Sequence, residues 1–520
     1  MRRTFGARLA IIAITVPAFL PICALAALPL RATDILAREK AADRAALPAS
    51  EIQDWTFTRG GLTGTEHIVR RGDDSTDTTV EGPFTTRRGT LGGKAWHQNE
   101  NGYTIIDVAE PSQAAHAIAQ SVTDDAAARR YVVSQTLSSG LVERTFYDDA
   151  DLVVVRREYE RGGRVFHLDY SDFRPSPGGR RRAWAEHGAD DRGNVYEAKL
   201  TADTSGAPID DATLAIPPDT RTLVEFPAGQ DQVHLPASVD FGRIHVTVTV
   251  NGYPLTFLLD SGASGIFINP EAAKEIGLRS YGSSAMTVAG TFAFTRVIAP
   301  TVQVGAITMH DVVMGTVPLD SWETQNDRVV GLLGYDFIAG AALRITYGDE
   351  LTSGQVDAIR PDVFTAPPLA TATMPVRLNQ QVPVVHVEIG DAASDDFIVD
   401  TGAEAPIILF ERFVKAHPAA VADRGIGTGF DPDQSAVFGV GGRVPIMPLR
   451  LSSFRFADLD FKNFIVLRAA NPGAFGDYRD DGLLGALFLR YFTLYIDYPH
   501  GKLYFEPNDN HTRAVGHSLQ

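Results

Sequence analysis

The alternation of apolar and polar residues changes character near Asp231. Before it, short apolar or β-branched runs such as Tyr103 to Val108, Leu152 to Arg157 and Val165 to Tyr170 stand between the turn pairs Asn101-Gly102 and Gly162-Gly163. That spacing predicts strands joined by tight turns, so residues 35–225 read as a mostly antiparallel sheet. Two stretches read as helices instead. Ala37 to Ala46 is rich in Ala, Arg and Glu, and in Pro111 to Val122 the residues Ala114, Ala115, Ile118 and Ala119 fall at helical spacing. Arg180-Arg181-Arg182, just after Pro177-Gly178-Gly179, reads as a solvated loop.

Beyond Asp231 the β-branched runs become dense and an internal repeat emerges. The first copy runs His245 to Val250, turns at Asn251-Gly252, and continues through Thr256-Phe257-Leu258-Leu259 into Asp260-Ser261-Gly262-Ala263-Ser264. The second runs Val384 to Ile389, turns at Gly390-Asp391, and continues through Phe397-Ile398-Val399 into Asp400-Thr401-Gly402-Ala403-Glu404. Each copy then predicts a short helix, Pro270 to Ile276 and Leu409 to Val414. A glycine-centred hairpin follows, at Gly290 in the first and at Gly441 and Gly442 in the second. Both close on one tetrapeptide, Gly331-Leu332-Leu333-Gly334 and Gly482-Leu483-Leu484-Gly485, followed by strand-like Leu343 to Tyr347 and Phe492 to Tyr498. Near-equal repeat lengths and a single linker around Ser353 to Ala372 favour pairing of the two halves within one chain, hence a monomer. Pairing with another copy of the chain is the other arrangement they allow.

Composition narrows the function. At 520 residues the chain is too long for one core, and 44% hydrophobic with 21% charged residues argues for folded domains. A net charge of −17 with no long basic tract leaves nothing to replace counterions on a phosphate backbone, so a nucleic-acid partner is not expected. Arg2, Arg3 and Arg8 precede an apolar run from Leu9 to Leu30 that contains Ala24-Leu25-Ala26, the pattern of a signal peptide spanning residues 1–26. The chain is therefore expected to be exported, to a periplasmic or extracellular space. An uncleaved run would instead anchor it in the membrane. Cleavage after Ala26 removes Cys23, the only cysteine, leaving no disulfide and no cysteine-bound metal.

An aspartate that ends a buried apolar run is in an unusual place, because an isolated charge there is strongly penalised. If the two copies meet about a pseudo-twofold axis, Asp260 and Asp400 face each other and share one proton, since like charges so close cannot both ionise. Such a pair can hold a water, one carboxylate taking its proton while the other donates to a substrate carbonyl. Gly262 and Gly402 let backbone approach the carboxylates. Ser261 and Thr401 carry hydroxyls able to reach the opposite copy's backbone, and Leu332, Leu333, Leu483 and Leu484 are expected to pack beneath the Asp loops. The hairpins are the candidate flaps.

These residues resemble the retropepsin-like group of the aspartic proteases, whose pattern is an apolar run, Asp-Ser/Thr-Gly-Ala, a flap hairpin and an apolar-apolar-Gly segment. The resemblance implies a mainly β, bilobal pair of retropepsin-like acid-protease β-barrels, lobe one at 235–365 and lobe two at 374–507, preceded by the antiparallel-sheet domain with helices at 35–225. It implies an aspartic endopeptidase that acts on polypeptides through Asp260 and Asp400 with no cofactor and no metal. The chain departs from the pattern in two ways and carries a further feature that bears on pH. Tyr335 and Ala486 stand where an Arg often follows the Gly-Leu-Leu-Gly element. No clear flap tyrosine is present, Tyr281, Phe430 and Phe438 being the nearest aromatics. Ala263 and Ala403 bring no hydroxyl to the acids, which implies a less acidic dyad and activity at mildly acidic pH.

Gly93-Lys94-Ala95-Trp96 followed by Asn101-Gly102-Tyr103 resembles the periplasmic lipoprotein-carrier fold, a curved sheet closed by helices, and implies a concave apolar surface. Two other readings follow from the same residues. One is a non-catalytic peptide-binding module on the bilobal scaffold; the other is a lipid or lipoprotein carrier acting through the N-terminal domain. His-Glu-x-x-His, Gly-x-Ser-x-Gly and a complete P-loop are all missing from the sequence.

Overall fold

The computed structural model describes residues 31–510 apart from 47, 107–116, 138–140, 162–163, 177–180, 289, 320–327, 349–351, 371, 422–435, 441 and 470–479. Residues 1–26, where a signal peptide is expected, with Cys23 among them, and Gly162-Gly163, Arg180, Phe430 and Gly441 lie outside the described residues.

A 13-stranded antiparallel sheet occupies the N-terminal region. Six strands step outward from Ser50–Arg59 to Thr104–Ile106, each hydrogen-bonded to its chain neighbour, and seven step back from Ala117–Asp125 to Val195–Ser205. The first and last strands meet in the middle, pairing Glu51 with Ser205 through Arg59 with Tyr196. The helix Ala32–Ala46 lies against this sheet, with Ile35 and Leu36 packed on Val133 and Tyr147.

Three expectations need correction here. Ala117 to Val122 is not helical but begins an edge strand paired to Arg130–Leu137, and Pro111 to His116 lie outside the described residues. Ile118 is 62% exposed, so the helical spacing of alanines had no apolar partner to face, and pairing with the neighbouring strand decided the conformation. Arg181 and Arg182 belong to the strand Arg181–Asp190, where Arg182 is ion-paired to both Glu51 and Asp203. Nor is the buried face of the sheet apolar. Trp55, Phe57, Ile68 and Leu200 form a small cluster there, but Glu51, Glu66, Asp77 and Glu81 are also buried and held by Arg70, Arg88, Arg59 and Arg182. Buried acids survive because each has a guanidinium within reach.

The C-terminal half forms two eight-stranded sheets with the same strand order, one per repeat, and a six-stranded sheet that joins them. The joining sheet pairs Ala342–Tyr347 of lobe one with Phe492–Asp497 of lobe two, Leu343 opposite Ile496 and Ile345 opposite Leu494. Part of the expected linker is structured: Gly354–Ile359 is a strand of this joining sheet. One continuous core, including Phe257, Leu333, Phe397, Leu484, Phe488 and Phe505, runs through both lobes.

The N-terminal sheet seats on lobe one through its turns. Asn101, 3% exposed, donates from Nδ2 to Val313 O (2.9 Å) and Asp336 Oδ2 (2.9 Å), and its Oδ1 accepts from Val313 N (2.9 Å) and Arg221 Nη2 (3.0 Å). Asn99 Nδ2 donates to the other oxygen of Asp336 at 2.7 Å. Removing such a side chain leaves several buried groups unpaired, so Asn101→Ala is expected to lower the stability of the full chain by about 2–4 kcal/mol. A urea titration followed by intrinsic fluorescence would read this, and an unchanged midpoint would mean that water replaces the amide there.

Candidate active site

Each Asp loop is built by the same local construction. Tyr253–Leu259 runs parallel to Val329–Leu333, with Leu258 beside Leu332 and Leu259 beside Leu333, and Ile266–Ile268 pairs antiparallel on the other side. In lobe two Ile398 and Val399 lie beside Leu483 and Leu484, with Ile407–Leu409 antiparallel. The chain leaves the sheet at Asp260 and Asp400 because the flanking strands hold it on both sides up to that point. Asp260 N still donates to Leu333 O (3.1 Å), while Tyr335 N and Ala486 N return to Ala263 O (3.0 Å) and Ala403 O (2.9 Å).

The repeated tetrapeptide is explained by space. A Cβ on Gly331 would come within 2.2 Å of the Phe257 ring, and one on Gly334 within 2.4 Å of Ala263 O; Gly482 and Gly485 are hemmed in the same way. Between them the leucines point to opposite sides. Leu333 and Leu484 enter the shared core, Leu332 packs with Leu258 and Ala263, and Leu483 packs with Ile398 and Ala405.

Across the axis the hydroxyls interlock. Ser261 Oγ donates to Val399 O (2.6 Å) and accepts from Thr401 N (3.1 Å); Thr401 Oγ1 donates to Leu259 O (2.8 Å) and accepts from Ser261 N (3.0 Å). Both residues are buried, at 1% and 0% exposure. The carboxylates are thereby brought face to face. An added Cβ on Gly262 would lie 2.7 Å from Asp400 Cγ, and one on Gly402 would lie 2.6 Å from Asp260 Cγ.

The two acids are not equivalent. Asp400 is half-buried, and its Oδ1 accepts from Gly402 N and Ala403 N, both at 2.9 Å. Burial raises its pKa to about 6 against those stabilising amides. Asp260 is 7% exposed, and its Oδ1 is enclosed with no hydrogen-bond partner among the described residues. Burial, and next the charge of Asp400, push its pKa well above the usual carboxylate range.

The hairpins stand at Ser280–Thr287 with Thr291–Val304, turning through Gly290, and at Ala436–Gly439 with Gly442–Phe456. Their tips meet on lobe one: Val440, 7% exposed, packs in one cluster with Ala263, Phe267 and Leu332, against which Val288 and Phe292 also lie. Tyr281 does not face this cluster. It packs edge-on against Phe84 of the N-terminal sheet, centroids 5.6 Å apart, beneath the Arg279 guanidinium.

Several neighbours of the site carry no mark in the repeat. Glu404 is paired with Arg243 at 3.1 Å, supplied by the start of the strand Arg243–Val250 in lobe one rather than by the position after Gly-Leu-Leu-Gly. Asp336, two residues past Gly334, is buried behind the Asp260 loop. Burial lifts its pKa to about 7 against the bonds from Asn101 and Asn99. Tyr335 stacks on Tyr498, whose phenol is held in the neutral form chiefly by burial and then by Tyr335 and Asp260. The only available signal for these was an unmatched residue in one copy of the repeat, such as Asp336 against Leu487.

The family model described as aspartyl protease matches residues 246–337, a span that contains Asp260. Among solved structures, the chain is similar to an aspartic proteinase from Irpex lacteus (16% identity, 54% of this chain and 98% of that one, TM-score 0.35). It is similar also to basic 7S globulin from soybean (11% identity, 54% and 96%, TM-score 0.32). A third is a domain described as an outer membrane lipoprotein-sorting protein from Vibrio parahaemolyticus (10% identity, 32% and 89%, TM-score 0.25). No curated protein matches the sequence. With the family match on lobe one and the same Asp loop repeated in lobe two, this chain carries an aspartyl protease domain behind an N-terminal antiparallel sheet.

Proposed function

We propose that the chain is an exported aspartic endopeptidase that hydrolyses peptide bonds with water activated by Asp260 and Asp400. The observation that carries the reading is the juxtaposition of the two carboxyls across interlocked Ser261 and Thr401, each acid against the other's glycine. Backbone amides support the ionised form at both acids, so it is the deeper burial of Asp260, whose Oδ1 is enclosed without a partner among the described residues, together with the charge of Asp400, that favours the proton on Asp260. Asp400 then takes a proton from water as that water attacks the scissile carbonyl, and Asp260 donates its proton to the carbonyl oxygen. From the resulting diol the proton now on Asp400 passes to the amide nitrogen, the C–N bond breaks, and one diol hydroxyl returns its proton to Asp260, so the dyad again holds a single proton.

Export, to the periplasm or the exterior, is supported by the arginine-flanked apolar run at residues 1–26. The carrier reading loses support from the buried face of the N-terminal sheet, where Glu51, Glu66, Asp77 and Glu81 with their arginines would meet a lipid chain. The test is incubation of the purified chain with a diverse peptide library, with and without a statine-type inhibitor. Absence of inhibitor-sensitive cleavage at every pH from acidic to neutral would overturn the proposal in favour of a peptide-binding module.

The pH dependence has a definite sign. Activity requires one proton on the pair, so it is lost as pH rises through the upper macroscopic step and again as pH falls through the lower one. Burial and mutual repulsion raise the upper step above that of an ordinary aspartate, toward or beyond the value of about 6 at Asp400. A kcat/KM profile with its plateau on the mildly acidic side is expected. A maximum below about pH 3 would contradict it.

A further inference from the structure

The N-terminal sheet touches the lobe-one hairpin at the places where that hairpin has backbone groups to spare. Ser280–Thr287 is the edge strand of its eight-stranded sheet, so its outer N–H and C=O groups have no ladder partner. Asn194 supplies one. Its Oδ1 accepts from Ala285 N at 2.6 Å and its Nδ2 donates to Ala285 O at 2.8 Å, as a neighbouring strand would. The amide is itself held in place, since Nδ2 also donates to Asp190 Oδ2 and the Asn194 N–H to Asp190 Oδ1. Where the hairpin ladder is interrupted between Tyr281 and Ser284, the freed Ser283 N–H donates to Gly60 O at 2.7 Å. On the second strand of the hairpin, Arg296 pairs with Glu81 and Glu100 and covers the Phe84 ring. These contacts all end on lobe one.

We propose that the N-terminal sheet is a permanent brace for the lobe-one hairpin, with Asn194 as a positioning residue, so that opening of the cleft falls to the lobe-two hairpin. Opening then requires Val440 to leave its apolar seat beside Ala263, while Val288 and Phe292 stay where they are. The consequence for the cleft rests on the protease reading above; the brace itself does not. A domain that positions one wall of the cleft in this way belongs to the working enzyme and is not a pro-region to be discarded.

Hydrogen exchange on the full, substrate-free chain tests this without relying on activity. In the wild type, amides of residues 291–295 are expected to exchange at least about tenfold more slowly than those of 442–446. Asn194→Ala is expected to speed exchange across the whole lobe-one hairpin, including residues 291–295, by about tenfold and to leave 442–446 unchanged. With a cleaved peptide the same variant should raise KM more than it lowers kcat. Equal protection of the two hairpins in the wild type would overturn the proposal, as would an effect of Asn194→Ala confined to the Ala285 amide. If the variant does not fold, the wild-type comparison still decides. A chain that shows the exchange asymmetry but cleaves no peptide would keep the brace and remove the dyad reading.

Discussion

Asp260→Asn and Asp400→Asn are each expected to reduce peptide hydrolysis by at least about a thousandfold, the scale on which a positioned acid or base contributes to a reaction. Asparagine has nearly the shape of aspartate, so the loops remain tied by Ser261 and Thr401, whose four bonds involve neither carboxylate. What is lost is the ability to hold and exchange one proton. The fold should survive in both variants, and at neutral pH it should be at least as stable as the wild type. Each substitution removes one of two buried groups whose charges oppose each other. Initial rates on a cleaved peptide, set beside thermal unfolding midpoints, give both readings. Full activity in either variant would exclude a two-carboxylate mechanism, and loss of activity together with loss of folding would leave the acids as structural elements.

The second large effect comes from a single methyl group. Gly402→Ala would put a Cβ 2.6 Å from Asp260 Cγ, closer than non-bonded atoms sit, so one carboxyl must move. Gly402 does not have the left-handed backbone that disfavours alanine, so the effect isolates the contact between the acids. Displacing a reacting group by a fraction of its working distance is expected to cost about a hundredfold in kcat, whereas the overpacking itself should cost only about 1–3 kcal/mol of stability. Gly262→Ala is the mirror experiment on Asp400, at 2.7 Å. If both variants retained wild-type kcat, the carboxyls would have to work from positions other than those they occupy here.

These two expectations draw on different depths of information. That Asp260 and Asp400 end apolar strands, and that glycine follows two residues later, is written in short stretches of sequence. Alternation of period two and a turn pair such as Asn251-Gly252 are fixed by neighbours in the chain, and repetition makes them visible twice. The helix at Pro270–Glu275 was legible for the same reason: Asn269 caps it from the preceding position and Pro270 suits its first turn.

Elsewhere the local signal was overruled or absent. Ala117 to Val122, part of the stretch expected to be helical, forms an edge strand because pairing with Arg130–Leu137 was available and only Val122 reached an apolar cluster while Ile118 stayed exposed. Tyr281, the aromatic nearest to a flap position in the first copy, is turned to Phe84 by the docking of a separate domain. The expected apolar concavity of the N-terminal sheet became a lattice of arginine–acid pairs, such as Arg88 with Glu66 and Asp77, whose members come from different strands.

The sequence by itself determined that two halves would each offer an aspartate followed by a hydroxyl residue and glycine at the end of an apolar strand, since strand period and turn chemistry act over a few residues. Tertiary structure alone decided which acid is the more enclosed, that Arg243 answers Glu404, and that Asn99 reaches Asp336 across 237 positions of chain. The reason is physical: charge and hydrogen-bond partners are chosen by proximity in space, and proximity between distant segments exists only once the lobes and the N-terminal sheet have packed.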